Sequence, residues 1–227
     1  MEHRSSGRPF YVFLAAFYAA WILRVVLLLP VDHRIEDFWL QQCWSQGLRV
    51  AIWILPVFLY LWVVDRVDAV RYLGLDTLPR GRRLWLGLAI IITFLTLAAL
   101  GATAKGGRAA NFLYTAPHHW AQLLVQMTFV ALAEEILFRG FILTKLSSVQ
   151  RRASKLLPIL ISSVLFVLVH VPGWLYMQGP QPALIYLGGS VFIISCVLGL
   201  LFQVTRSLWP PVALHLLNNV LTGIMLP

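Results

Sequence analysis

The chain has 227 residues, 59% hydrophobic and 12% charged, with a formal net charge of +9 and two cysteines. A soluble domain carries about a quarter charged residues, so this composition, with a mean hydropathy of +0.79, excludes an ordinary soluble fold and points to a polytopic membrane protein. The basic residues are spread among short loops, which speaks against nucleic acid and marks them as topology signals; Cys43 and Cys196 show neither metal spacing nor a disulfide framework.

A helix needs about 20 apolar residues to cross the hydrocarbon core. Seven blocks meet or approach that length, at roughly 10–30, 49–64, 84–101, 120–145, 156–171, 183–204 and 209–226. The first is too long for a signal-peptide core and reads as a retained signal anchor. The stretch "RVDAVRYLGLDTLPRGRR" (66–83) mixes charge with spaced apolar residues and reads as a surface-lying segment. The fifth block is short, and polar residues break the seventh. Trp85, Trp120 and Trp209 stand at block starts, where an interfacial belt puts them. Gly188, Gly189, Ser195 and Gly199 fit a closely packed sixth helix, the last two as a small-xxx-small pair. No linker is long enough to hold a soluble domain. The expectation is an all-α bundle of about seven membrane helices, a single integral membrane domain over residues 1–227.

Orientation follows from lysine and arginine. One side carries Arg4, Arg8, Arg66, Arg71, Arg80, Arg82, Arg83, Lys145, Arg151, Arg152, Lys155 and Arg206; the other carries Arg34, Arg49, Lys105 and Arg108. Twelve against four puts the N-terminus in the cytoplasm. Arg24 and Arg139 lie inside blocks and are not counted.

The fourth block contains "ALAEEILFRGF" (131–141). Charges at membrane depth are costly and commonly functional. Glu134 and Glu135 are about 100° apart around a helix, so they do different jobs. Glu135 and Arg139 are spaced i, i+4 with the acid first, the favourable order for a helical ion pair. Glu134 points elsewhere and lacks that partner, and a desolvated carboxylate is a stronger base. His170 follows Phe166 at i+4 in "LFVLVHVPG", and His215 precedes Asn219 at i+4 in "PPVALHLLNNVL", with Asn218 about 100° away. At about 1.5 Å per residue, Glu134 lies roughly 16 Å from Lys145 and His170 roughly 22 Å from Lys155, while His215 and Asn219 lie roughly 13 and 19 Å from Arg206. All four depths fall near the middle of a core about 30 Å thick. A carboxylate, two imidazoles and an amide form a hydrolytic set. The residues alone leave other readings open. A membrane histidine can be an interhelical hydrogen-bond partner. A Glu–Arg pair can be structural glue or part of a transport or proton-relay path. His170, His215 and Glu134 are also competent zinc ligands.

The motifs "EEILFR" (134–139), "FVLVH" (166–170) and "HLLNN" (215–219) resemble, in order, those of the CAAX prenyl endopeptidase and bacteriocin-processing family, also called the abortive-infection family. The likeness covers the chain from about residue 120 to 227, and the first three helices carry no such signature. It implies an intramembrane glutamate endopeptidase without a cofactor. It makes Glu134 the general base assisted by His170, and His215 and Asn219 the oxyanion site, with Glu135 and Arg139 in the remaining motif positions. It implies a multi-pass protein of a bacterial cytoplasmic membrane, in contact with lipid and with a peptide or membrane-protein substrate. A non-catalytic member acting as an immunity or partner-binding membrane protein is the alternative within the same fold.

Overall fold

A computed structural model describes residues 7–104, 117–149 and 156–225, and among these there are helices and turns but no strand. Chain order gives α1 (Gly7–Asp32), α2 (Phe38–Asp65), the short α3 (Ala69–Leu73) and α4 (Arg82–Ala104). Next comes α5 (Pro117–Glu135), which runs through a π-helical stretch, Ile136–Leu143, into α6 (Thr144–Val149). The chain closes with α7 (Leu156–Gln178), α8 (Ala183–Thr205) and α9 (Trp209–Met225).

Among the described residues five helices, within α1, α2, α4, α7 and α8, are long and apolar enough to cross a membrane. The protein is an integral multi-pass membrane protein built as an all-α bundle. The other two expected crossings are the stretches that carry the first and third motifs. Their polar side chains lower their hydropathy, and the bundle shields them instead. From Ala131 to Leu143 every residue except Leu132 is buried. Large apolar side chains such as Trp62, Trp85, Ile185 and Tyr186 are exposed on the outer helices, as lipid-facing positions require.

Lipid is as apolar as leucine, so packing geometry, not exclusion from water, holds such helices together. Here much of it is aromatic. Phe13, Phe17 and Trp21, at i, i+4, i+8 on α1, meet Phe141 at 4.9 Å and Trp53 at 5.3 and 4.8 Å, all nearly edge to face. Phe138 meets Phe166 of α7 at 4.9 Å. Such pairs contribute about 0.5–1.5 kcal/mol each beyond area. Tyr18 and Trp21 also donate to the α7 carbonyls of Leu165 and Val169, at 2.5 and 2.7 Å.

Four expectations change. The second helix begins at Phe38, capped by Asp37, which accepts from the Leu40 amide; Gln41, Gln42, Ser45 and Arg49 are polar but helical, because they line a cavity. The fifth runs past Pro172 to Gln178, since a membrane helix tolerates one missing N–H. The 66–83 segment is not wholly superficial: Leu73 is fully buried, and a Cβ at Gly140 would lie 2.8 Å from its Cδ2. Glycine at 140 lets this segment dock under the bundle. Gly199 is tight as expected, with a Cβ there 3.0 Å from Ile159, whereas Gly189 faces open space.

Contacts between helix ends tie one end of the bundle together. The Gly74 carbonyl accepts from the Leu208 amide, the Leu75 carbonyl from Trp209, and the Thr77 carbonyl from Ser207. Asp65 accepts from Lys145 at 2.6 Å. One end therefore gathers Arg66, Arg71 and Arg206. Lys145 itself is buried on Asp65, not free at the interface. Arg4, Lys105, Arg108, Arg151, Arg152, Lys155 and the side chain of Trp120 lie outside the described residues.

Candidate active site

Glu134 and Glu135 end α5 where the backbone loosens into the π-helical stretch. Such stretches are frequent at functional sites. Two others precede prolines: Arg24–Leu28 before Pro30 and Val50–Ile54 before Pro56. There the missing proline N–H leaves a carbonyl to find a longer-range partner. The loosened turns lie beside the buried charges Arg24, Glu134 and Glu135 and the half-buried Arg49.

The two glutamates do part company. Glu135 is fully buried, and its Oε1 accepts from Arg139 Nη1 at 3.0 Å and from His215 Nδ1 at 2.7 Å. Arg139, 1% exposed, also donates to the carbonyl and hydroxyl of Ser195 on α8, at 3.2 and 2.9 Å. Its guanidinium sits 4.4 Å from the Phe166 ring centre. Glu134 Oε2 lies 3.7 Å from His215 Nε2, so the His215 ring spans the two glutamates, one nitrogen to each.

Glu134 lacks Arg139 as a direct partner and has another, which the sequence did not indicate. Its Oε1 accepts from Arg49 Nη1 of α2 at 3.2 Å. By hydropathy Arg49 falls at the edge of an apolar block, as a loop charge does; α2 extends eleven residues further back, so Arg49 lies well inside the helix. With Glu134, Glu135, Arg49 and Arg139 charged, the cluster is formally balanced before His215 takes a proton.

His170 is half-buried on α7. Its Nδ1 lies 2.7 Å from the Phe166 carbonyl. A carbonyl only accepts, so Nδ1 carries the hydrogen and, in the neutral ring, Nε2 keeps its lone pair. His170 and His215 flank the same Phe166 ring, with centroids at 4.8 and 6.0 Å. Phe166 thus touches Arg139 and both histidines, a role its place in "FVLVH" did not reveal. Ser195, read from sequence as packing, is in fact an acceptor for Arg139. Asn219 lies one turn beyond His215 on α9 and is half-buried. Among the described residues no three His, Cys, Asp or Glu side chains gather as a metal-ligand set.

A cavity of about 480 Å³ opens between α1, α2 and the end of α7. Arg24, Asp32, Gln42 and Ser45 line it, and at its inner end are Arg49, which holds Glu134, and Trp174, whose ring lies 5.4 Å from that of His170.

The family model described as type II CAAX prenyl endopeptidase, Rce1-like, matches residues 116–221. No curated protein matches the chain, and no solved structure does. The matched segment spans all three motifs and ends two residues past Asn219. Over this motif-bearing part, just under half of the 227 residues, the membrane-embedded bundle is similar to the Rce1-like family of CAAX-type proteases.

Proposed function

We propose that the protein is an intramembrane endopeptidase that hydrolyses a peptide bond with a carboxylate-activated water. The observation that carries this reading is the meeting of Glu134, Glu135 and His215 in one buried cluster, with His215 Nε2 3.7 Å from Glu134 Oε2 and His215 Nδ1 2.7 Å from Glu135. A water can reach hydrogen-bond distance of both Glu134 and His215 across that gap.

Glu134 takes the proton of the attacking water. His170, its Nδ1 occupied by the Phe166 carbonyl, accepts a hydrogen bond from that water through Nε2 and orients it. The carbonyl oxygen of the scissile bond becomes an oxyanion. His215 Nε2–H and the Asn219 amide donate to it. Donating from both nitrogens, to Glu135 and to the oxyanion, His215 acts in its protonated form, and its added charge offsets the one that develops. Glu134 then passes its proton to the leaving amine. Glu135 and Arg139 touch no reacting atom; they position His215. The scheme uses no metal or cofactor. The substrate is a polypeptide in or at the membrane, and the basic end of the bundle, with the N-terminus, faces the cytoplasm of a bacterial cell.

The test is cleavage of a peptide library by the purified protein in detergent, wild type against Glu134→Gln. Products from the wild type alone support the reading. Equal products from both, or none from either with folded protein in lipid as well, remove it.

A further inference from the structure

The family-like segment begins at residue 116, yet one of the groups touching Glu134 comes from α2. We propose that Arg49 is a positioning residue for Glu134, reached from outside through the polar cavity between α1, α2 and α7. The inference rests on the hydrolytic reading above.

The geometry assigns the two oxygens of Glu134 different duties. Oε1 accepts from Arg49 at 3.2 Å, and Oε2 faces His215 at 3.7 Å. A carboxylate tied by one oxygen has less freedom to swing, which favours the other oxygen staying on the His215 side. Arg49 is itself held. Its guanidinium lies 5.5 Å from the Trp53 ring centre, and Trp53 is 1% exposed. On the cavity side stand Arg24 and Asp32, an ion pair of their own that Trp44 and Ser45 brace. The charged groups around Glu134 are therefore Arg49 from α2, His215 from α9, and Glu135 and Arg139 on its own strand of helix, with Arg24 and Asp32 of α1 behind Arg49. The buried Nε–H of Arg49 has no hydrogen-bond partner, so among the described residues the guanidinium's one hydrogen-bonded side chain is Glu134. Because the cavity reaches Arg49, truncation of that side chain would leave a space continuous with the outside.

The test is steady-state cleavage, on the peptide identified above, by the full chain in detergent. Arg49→Ala should lower kcat by about 10²-fold with KM within about threefold, because a group that positions the base acts on the chemical step. Arg49→Lys should recover part of kcat, and added guanidinium ion should restore the Ala variant but not Glu134→Gln. If Arg49→Ala does not survive extraction, Arg49→Gln replaces it. Folded Arg49→Ala with wild-type kcat overturns the inference while the inactive Glu134→Gln leaves the hydrolytic reading standing. Loss that neither lysine nor guanidinium relieves also overturns it, since that is the behaviour of a purely structural contact. Activity in Glu134→Gln would instead remove the hydrolytic reading itself.

Discussion

Replacing Arg139 by methionine removes the cation that neutralises Glu135 and little of the volume. Arg139 is 1% exposed and Glu135 fully buried. The change deletes the 3.0 Å pair to Glu135, two hydrogen bonds to Ser195 and the contact on Phe166. Breaking a buried pair from one side costs about 3–5 kcal/mol. His215 stays on the same Glu135 oxygen at 2.7 Å and offsets part of the loss, so the expected cost is near the lower end, about 3 kcal/mol. Glu135→Gln strands Arg139 in turn, at about the same cost. With both changes no charge is left unpaired. The double variant should lose about 4 kcal/mol rather than the 6 of the sum, a coupling of about 2. Unfolding in mixed micelles of rising SDS content, followed by tryptophan fluorescence, measures all four proteins. Additivity within about 0.5 kcal/mol, or an Arg139→Met variant as stable as wild type, would refute the argument that this pair is a closed unit of the core.

Further outcomes follow from the same geometry. Asn219→Ala should lower kcat by about 10²–10³-fold, the usual loss for one oxyanion donor, with KM little changed; an unaltered kcat removes that role. Chelators should leave cleavage intact and elemental analysis should find no stoichiometric zinc, whereas activity lost on chelation and restored by zinc would make His170, His215 and Glu134 metal ligands instead. Gly140→Val should cost about 1–3 kcal/mol by overpacking, because its Cβ falls 2.8 Å from Leu73; the same SDS titration reads it, and a neutral result would mean that the 69–73 helix can shift freely.

What was legible in the sequence was whatever violates the apolar rule. Glu134, Glu135 and Arg139 stood out because a charge inside an apolar block demands a partner, and helical spacing alone supplied the one between Glu135 and Arg139. Hydropathy conceals Arg49, because Gln41, Gln42 and Ser45 before it resemble a loop. They are polar because a cavity, not lipid, faces them. Lys145 misled in the opposite sense: a lysine at a block end reads as an interface marker, yet Asp65, eighty residues earlier, draws it inside. Such long-range pairing leaves no periodic trace. Pro172 ended the fifth helix on paper, since in water a proline breaks a helix, while in the bundle the neighbours hold it straight. Five of the seven blocks keep the length and hydropathy of a crossing among the described residues, because block length is a property of the bilayer; the mutual arrangement of Phe166 with Arg139, His170 and His215 is a property of packing and leaves no trace in hydropathy.

The hydrolytic claim is tested most directly by where the water goes. Wild-type protein and Glu134→Gln, both folded by the SDS titration, are incubated with the cleaved peptide in heavy-oxygen water, and the new C-terminal fragment is weighed by mass spectrometry. One heavy oxygen in the new carboxylate from the wild type, and no fragment from Glu134→Gln, is the expected result. A fragment formed equally by the variant, or formed without label, would contradict a Glu134-activated water.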